Sequence, residues 1–556
     1  MRKLVVLILF AICVFPWLSF GDEVHEHQLN SGIKNANIHS HLLIEESKVR
    51  TSFRDNLLKK ALLYSPDLPA VYFELSKAHL SLSPERIIDS IYYLFEGIAA
   101  YSRNFWWSFT LAGSLFFSLV FSFILSIACI AIIRLMTDLS LISHDILEKK
   151  SKMFILVILI LLSGLSPLLL CAGLLIILGL YMKKFDKSIV YFYLTILVLS
   201  PLIFKTATFF VHVSSSGAIK AIVQVNESAG NNYALSALRN ADDPEGIFSY
   251  ALALKREGYY SEAITVYNRL IQLKRDPRAH INLGNVFVGL SSFDEATDYY
   301  FKAIEMEKLS SAYYNLSQLS RETFDFVKGN EYFQSAVAID RNKVADYRTM
   351  YGRHPNRLVV DEQLTFNDLW RYVFDQTPET STFGLMIIPV FLMTFISIGL
   401  LASFFFLDRS LKNRAYRCRR CDAILCPECE KRVKWRELCS QCYRSLVKIK
   451  ELDVKDRVSR LQHIQKIQQK RSTFLKILSF MLPGSALIFR GRILHGFFFL
   501  WPFLFFVFVP ICNIFLSTGI LQFSRGFVEF VAILCAILIY FISNLITRKR
   551  IAKGWL

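Results

Sequence analysis

The sequence predicts a mainly α-helical protein that crosses a membrane several times and also carries an α-solenoid of helix pairs and a small cysteine-rich module. Three observations lead to this fold class. Hydrophobic residues make up 53% of the 556 residues, charged residues only 20%, and the mean hydropathy is +0.36. Several apolar runs are long enough to span a bilayer, and one segment repeats itself. This composition excludes a wholly soluble enzyme and a disordered chain, and 11 Cys are too few for a disulfide scaffold.

The N-terminus predicts a signal peptide over residues 1–21. Arg2 and Lys3 precede an apolar run, and Ser19-Phe20-Gly21 form a small-x-small cleavage site. An uncleaved anchor is the alternative. In either case we expect residues 22–104 to be exported.

Apolar runs near the roughly 20 residues that a helical span needs predict the membrane helices. The runs are Phe105–Leu135, Ser188–Val213, Phe383–Leu407, Phe497–Leu516 and Phe527–Thr547. A further run over 153–182 is interrupted at Gly164 and Pro167 and has lysines on both sides. Lysine on both flanks favours the cytoplasm for both ends, so 105–213 is predicted to contain a hairpin or re-entrant pair at 153–182. One long tilted helix is the alternative.

The hairpin sets the predicted topology of everything downstream. It exports 214–382 and leaves 408–476 in the cytoplasm. Segment 408–476 holds 20 Lys/Arg against 8 Asp/Glu, whereas 214–382 holds 18 against 22. Both the positive-inside bias and the absence of cysteine from 22–104 and 214–382 agree with this topology.

A repeat over about 244–340 carries equivalent residues 33 positions apart. Its columns hold small, aromatic, apolar and mixed residues: Ala263/Ala296/Gly329, Tyr267/Tyr300/Phe333, Leu270/Ala303/Ala336 and Tyr250/Leu283/Leu316. Small residues let paired helices approach closely, and each unit must stack on its neighbour because it cannot bury its own face.

These columns resemble tetratricopeptide (TPR) repeats, and a weaker helix pair of the same kind is predicted within 22–104, at about 66–101. The resemblance implies a concave groove that holds a peptide or helix of a partner protein. Asn282, Asn285 and Asn315 are the predicted partner-binding residues, since they lie on the first helices of the repeats. Repeats that serve only as spacers between membrane spans are the alternative.

Three Cys-x-x-Cys pairs lie within 418–442: Cys418/Cys421, Cys426/Cys429 and Cys439/Cys442. The first and third pairs are 17 residues apart, which is the spacing of a closed, structural zinc site. We therefore expect structural zinc on the first and third pairs. Cys426 and Cys429 either bind a second ion with partners not identified from the sequence or share in a cross-braced site.

The zinc-ribbon-like module lies in the basic segment 408–476, in which Tyr443–Arg471 predicts an amphipathic helix. Basic residues beside such a module suit anionic lipid or a second protein partner. Nucleic acid is the less favoured partner.

Residues 477–556 combine two predicted spans with a re-entrant or interfacial element. Pro483, Gly484, Gly491 and Gly496 resemble a Pro-Gly…Gly…Gly motif that precedes paired spans in small bacterial membrane domains. Glycines of this kind permit a turn and a close approach of helices.

By resemblance, the chain looks like a bacterial inner-membrane protein with periplasmic TPR repeats and with its zinc module and C-terminus in the cytoplasm. The predicted function is a non-enzymatic scaffold that links protein partners on the two sides. A transporter or membrane enzyme with a site near Lys205, or a membrane-tethered nucleic-acid binder, are the alternatives. No phosphate-binding loop or hydrolase motif occurs in the sequence.

Overall fold

The structure is a computed structural model, and it is mainly helical. It describes residues 25–553 apart from 26, 29–31, 81–82, 148–159, 163, 228, 352–357, 377–389, 411–414, 419, 427–437, 447–453 and 517–525. The predicted signal peptide and the first part of the predicted hairpin lie outside the described residues, as does Cys429.

The chain forms two compact units. The first unit comprises the described residues of Met1–Thr110, Val211–Thr377 and Ser517–Gly526, and the second those of Leu111–Phe210, Pro378–Leu516 and Phe527–Leu556.

Most helices of the first unit are short and follow one another in antiparallel pairs. The first four, in chain order, are α1 Asn37–Val49, α2 Arg54–Tyr64, α3 Pro69–His79 and α4 Pro84–Ala100. The long helix α5 (Phe105–Leu147) begins in this unit, and the next three helices of the chain belong largely to the second unit. The remaining helices of the first unit, numbered after those three, are α9 Gly217–Asn226, α10 Asn232–Ala237, α11 Pro244–Arg256, α12 Tyr260–Leu273, α13 Pro277–Gly289, α14 Phe293–Met306, α15 Ser310–Glu322, α16 Phe326–Ile339, α17 Arg341–Tyr351 and α18 Phe366–Asp375.

The helices of the second unit are longer and more apolar, and a small hairpin lies among them. They are α6 Pro167–Gly179, α7 Ser188–Val198, α8 Ser200–Ser215, α19 Val390–Ser410, α20 Ser440–Leu446, α21 Val454–Met481, α22 Ser485–Phe489, α23 Ile493–Leu516 and α24 Phe527–Ala552. Strands β1 (Tyr416–Arg417) and β2 (Ile424–Leu425) pair antiparallel between α19 and α20.

Local signals in the sequence set where the repeat helices begin. Helices α11 and α13 each start at a proline, whose fixed φ suits the first helical position. The preceding aspartates cap them: Asp243 accepts from the N–H of Gly246 at 2.7 Å, and Asp276 from the N–H of Arg278 at 3.0 Å.

Small and aromatic residues hold each helix pair together, as the repeat columns predict. Ala263, Ala296 and Tyr300 are fully buried. A Cβ on Gly284 would lie 2.7 Å from the Tyr300 ring, so this glycine lets α13 pack directly on the aromatic residue of α14.

Four described helices are long and apolar enough to cross a membrane. They are Phe105–Asp145 within α5, Phe391–Ser410 within α19, and the whole of α23 and α24. Helices α7 and α8 meet at 59° and would form a fifth span if they act together. Of the predicted amphipathic segment Tyr443–Arg471, the described residues lie in α20 up to Leu446 and in α21 from Val454; residues 447–453 lie outside the described residues.

The turn between α21 and α23 depends on glycine. Gly484 has φ +79°, and a Cβ there would lie 2.2 Å from the carbonyl oxygen of Gly496. Helix α22 is capped at its other end by Arg134 of α5, whose guanidinium donates to the carbonyls of Ile488 and Phe489 at 3.4 and 3.3 Å. This arrangement satisfies carbonyls that a helix end leaves unpaired.

Gly484→Ala is expected to destabilise the second unit, because alanine is strained at this φ by about 1–2 kcal/mol before its contact with Gly496 is counted. Gly399→Ala is the matched control, since a Cβ at Gly399 has no atom within 4 Å. The measurement is the temperature at which detergent-solubilised protein loses its monodisperse elution. Equal midpoints for the two variants would contradict the role given to Gly484.

Candidate protein-binding groove and metal centre

The three asparagines predicted to bind a partner lie together on the first helices of two successive repeats. Asn282 and Asn285 are on α13, Asn315 is on α15, and all three are at most 1% exposed. They surround residues 358–365 of the same chain, a non-helical segment that directly precedes α18. We call residues 358–365 the strap, and the surface that contacts it the groove.

The asparagines bind the main chain of the strap rather than its side chains. Asn315 accepts from the N–H of Val360 at 2.8 Å and donates to its carbonyl at 2.9 Å. Asn282 does the same with Glu362, accepting at 2.8 Å and donating at 2.9 Å. Each asparagine amide therefore pairs both polar groups of one strap residue, as a neighbouring strand would.

We call this series of asparagine hydrogen bonds to the main chain of the strap the asparagine ladder. It continues at Leu364, the next alternate residue of the strap. The N–H of Leu364 donates to Asn226 on α9 at 2.8 Å. The amide nitrogen of Asn226 in turn donates to Ser249 on α11 at 2.8 Å. Because the bonds fall on residues 360, 362 and 364, the strap presents the same edge to successive helices, as an extended chain does.

Asn285 ties the ladder to the repeat core. Its nitrogen donates to the carbonyl of Val360 at 2.8 Å and to the carboxylate of Asp361 at 2.9 Å. Its oxygen accepts from the hydroxyl of Tyr300 at 2.7 Å and from Asn315 at 2.9 Å. All the hydrogen-bonding capacity of this buried amide is used, which makes the network costly to break in part.

Asp361 gives the strap a charged anchor. Its carboxylate is 4% exposed, 2.5 Å from the ammonium of Lys255 and 3.8 Å from Nε of Arg256, both on α11. Removing one partner of such a pair leaves an uncompensated charge, which lowers the stability of the docked strap by about 3–5 kcal/mol. The pair therefore favours an acidic residue at this position of the strap.

Glu362, unlike Asp361, does not stabilise the docked strap through its charge. Burial raises the pKa of its carboxyl group, although a hydrogen bond from Ser311 and the charges of Lys343 and Arg278 act in the opposite direction. A raised pKa means that docking favours the protonated form. The main-chain bonds of residue 362, rather than its charge, therefore hold it in the groove.

The sequence predicts that the three asparagines bind a partner, which stays a prediction, and it did not identify the strap as the segment that they contact. Asn282 and Asn315 share one column of the repeat, and Ser249 occupies that column in the preceding unit. A repeat column that holds polar residues on packed helices indicates buried amides and hydroxyls, and such groups need hydrogen-bond partners. Nothing in residues 358–365 alone identifies them as the occupant.

The first and third cysteine pairs come together as the spacing predicts. Ligand atoms of Cys418, Cys421, Cys439 and Cys442 all lie within 4.8 Å of one another. The first pair lies at the turn of the β1–β2 hairpin, and the third pair lies at the start of α20. Asp422 completes the hairpin turn at φ +62° and is held by Arg471 of α21 at 3.0 Å.

The distances fit one tetrahedral ion. Cys421 and Cys439 have their sulfurs 3.6 Å apart, near the edge of about 3.8 Å that Zn–S bonds of 2.3 Å produce in a tetrahedron. The N–H of Cys439 donates to the sulfur of Cys418 at 3.3 Å, and that of Cys442 to Cys439 at 3.3 Å. Although burial acts to raise the pKa of Cys418, N–H donors from Cys421, Cys439 and Arg420 lower it to about 7. The four thiols could therefore hold a metal ion.

Cys426 does not join these four. It lies immediately after β2 and packs with Leu141 and Ala415. Lys205, the residue considered for a transport site, has its side chain exposed on α8.

The comparison with known families agrees with the repeat columns. Residues 244–277 match the tetratricopeptide repeat. This match covers α11 and α12, the pair that carries Lys255 and Arg256. No curated protein matches the chain. Tetratricopeptide repeats generally mediate protein–protein interactions.

Replacing Asn282 and Asn315 together with alanine should release the strap, because each loses a donor and an acceptor and such bonds stabilise by about 1 kcal/mol each. The amides of Val360 and Glu362 are expected to exchange with deuterium at least about tenfold faster, measured by mass spectrometry of the strap peptide. Asn268→Ala, at an exposed position on α12, is the control. Unchanged exchange in the double variant would show that the asparagines do not hold the strap.

Proposed function

We propose that the protein is a non-enzymatic membrane scaffold whose tetratricopeptide groove captures an extended segment of a partner protein. The observation that carries this proposal is the asparagine ladder. It pairs with N–H and C=O groups of alternate residues, and every extended chain has those groups in the same places. The groove is therefore suited to a peptide in the extended conformation rather than to a partner helix.

The groove also has a means of choosing among extended segments. Lys255 and Asn285 meet the carboxylate of Asp361 from two neighbouring repeats. A partner that offers an aspartate beside an apolar residue would supply a counter-charge to this half-buried cation, whereas a neutral side chain would not. The proposed partner is thus an extended, acidic segment with alternate apolar residues.

The strap has to leave before such a partner enters, because it uses the same donors and acceptors. We treat it as a resident ligand of the groove. Replacing the strap would leave the asparagines of the groove open to a ligand without mutating them. The proposal can therefore be tested without knowing the natural partner.

The remaining modules extend the scaffold across the membrane. In this proposal the repeats lie in the periplasm of a bacterium and the cysteine module lies in the cytoplasm, where its four thiols hold structural zinc. The excess of Lys/Arg in 408–476 supports contact with anionic lipid. A second protein partner would dock on the zinc module.

A strap peptide added in trans tests the groove directly. The probe is a fluorescent peptide of residues 358–365, and the variant is the full chain with residues 359–364 replaced by Gly and Ser. We expect the variant to bind the peptide saturably and the wild-type protein to bind it at least about tenfold more weakly, because the wild-type groove is filled. Fluorescence anisotropy in detergent measures both.

Two controls make this result specific. Adding Asn282→Ala and Asn315→Ala to the strap-replaced chain should lower peptide affinity at least about tenfold. A peptide with Asp361→Asn should also bind at least about tenfold more weakly, since it loses the ion pair with Lys255. A strap-replaced chain that still elutes as a folded, monodisperse protein but binds no peptide would refute capture by the groove.

The topology of the scaffold predicts opposite results for two alkaline phosphatase fusions. A fusion after Thr380 should be active, because the repeats are exported, and a fusion after Ser445 should be inactive, because thiols and basic residues favour the cytoplasm. Activity after Ser445 alone would overturn both the periplasmic location of the repeats and the coupling of two compartments.

A further inference from the structure

The middle cysteine pair is left over when the first and third pairs converge. Cys426 is the described member of that pair, and its sequence context, Cys-Pro-Glu-Cys, is the same kind of Cys-x-x-Cys element that supplies the four clustered thiols. Such pairs are typical of metal ligands. The structure gives Cys426 neighbours that no sequence pattern connects to it.

Those neighbours are His144 and Asp145, near the C-terminal end of α5. A ring nitrogen of His144, a carboxylate oxygen of Asp145 and the sulfur of Cys426 all lie within 4.8 Å of one another. Cys426 is buried, and the other two are half-buried. Cys426 lies more than 270 positions from the adjacent residues His144 and Asp145 in the chain, so their meeting is a property of the fold.

Hydrogen bonds hold Asp145 in position for such a role. One carboxylate oxygen accepts from the N–H of Ala415 at 3.0 Å and from the hydroxyl of Tyr181 at 3.1 Å. The other oxygen lies 3.3 Å from Nδ1 of His144. Carboxylates that bind metals are themselves commonly hydrogen-bonded in this way, which fixes their orientation.

The surroundings of Cys426 are fixed as firmly. Arg417 of β1 donates to the carbonyl of Thr137 at 2.5 Å and to the hydroxyl of Ser140 at 2.6 Å, both on α5. Cys426 also packs in an apolar cluster with Leu141, Ala415 and Tyr181. The Arg417 hydrogen bonds therefore anchor the hairpin on α5 without involving the three candidate ligands.

We infer that His144, Asp145 and Cys426 bind a second divalent metal ion, separate from the four-cysteine cluster. An imidazole, a carboxylate and a thiolate form a ligand set that zinc accepts, and three protein ligands are enough for a site that keeps one position open. The mixed set is less soft than four thiolates, so the two sites differ in their preference among metals. The ion would join the cysteine module to the end of a candidate membrane helix.

Metal content of the full-length protein tests this inference. Protein purified in detergent is equilibrated with Zn²⁺, dialysed, and measured for zinc per chain by mass spectrometry. Wild-type protein should hold two ions. His144→Gln and Cys426→Ser, singly and together, should hold one, while Cys535→Ser, a cysteine of α24 outside both clusters, should still hold two.

The outcome that overturns the inference is equally definite. One ion in the wild-type protein, or two ions retained in both single variants, would show that the three residues form a hydrogen-bonded cluster only. The ion that remains in the variants reports that the four-cysteine cluster still folds. Should Cys426→Ser lose both ions, His144→Gln decides, because His144 lies on α5 and outside the cysteine module: a loss of one ion supports the second site, and retention of two refutes it.

Discussion

The strap, whose residues Val360 and Leu364 are buried and which has no strand beside it among the described residues, is the constraint around which the first unit is organised. Such a segment exposes N–H and C=O groups on both edges, and each unpaired group inside a protein costs about 1–3 kcal/mol. Helices cannot pair with it, because their own main-chain groups are already used. Side-chain amides can, since each offers one donor group and one acceptor, and the repeats place them at the right intervals.

The second unit meets a related requirement with charge instead of amides. The carbonyls at the end of α22 lack helical partners, as at every helix end, and Arg134 donates to two of them. Arg134 supplies the donors and is neutralised by Asp138, one turn further along α5. Lys187, directly before α7, pairs with Asp408 of α19 and so adds a second ion pair to this unit. In both units, main-chain groups that no helix or strand pairs form hydrogen bonds with side chains of other helices.

The sequence predicted the features that depend on a local pattern and missed those that depend on contacts between residues far apart in the chain. The repeat columns found α11 to α16 because each helix pair is a local unit with a fixed period. The cysteine spacing found the four-thiol cluster, since ligand pairs three residues apart share one turn. The cysteine spacing could not identify the neighbours of Cys426, because His144 and Asp145 lie in a distant part of the chain. The strap was missed for the same reason: Val360 meets Asn315 only because the chain folds back along the repeats. Helices α1 and α2 were missed because their sequence shows no clear period.

The attachment of the strap to α18 has a kinetic and thermodynamic consequence for any competitor. A tethered ligand acts at an effective concentration in the millimolar range when its linker is short, and the strap continues into α18 without an intervening loop. A free peptide of equal intrinsic affinity would have to approach that concentration before it filled half of the grooves. A successful partner must therefore make contacts beyond the ladder, or enter from one end and replace the strap residue by residue. The groove would then respond only to partners that are locally abundant or held nearby, which is a selection by proximity rather than by affinity alone.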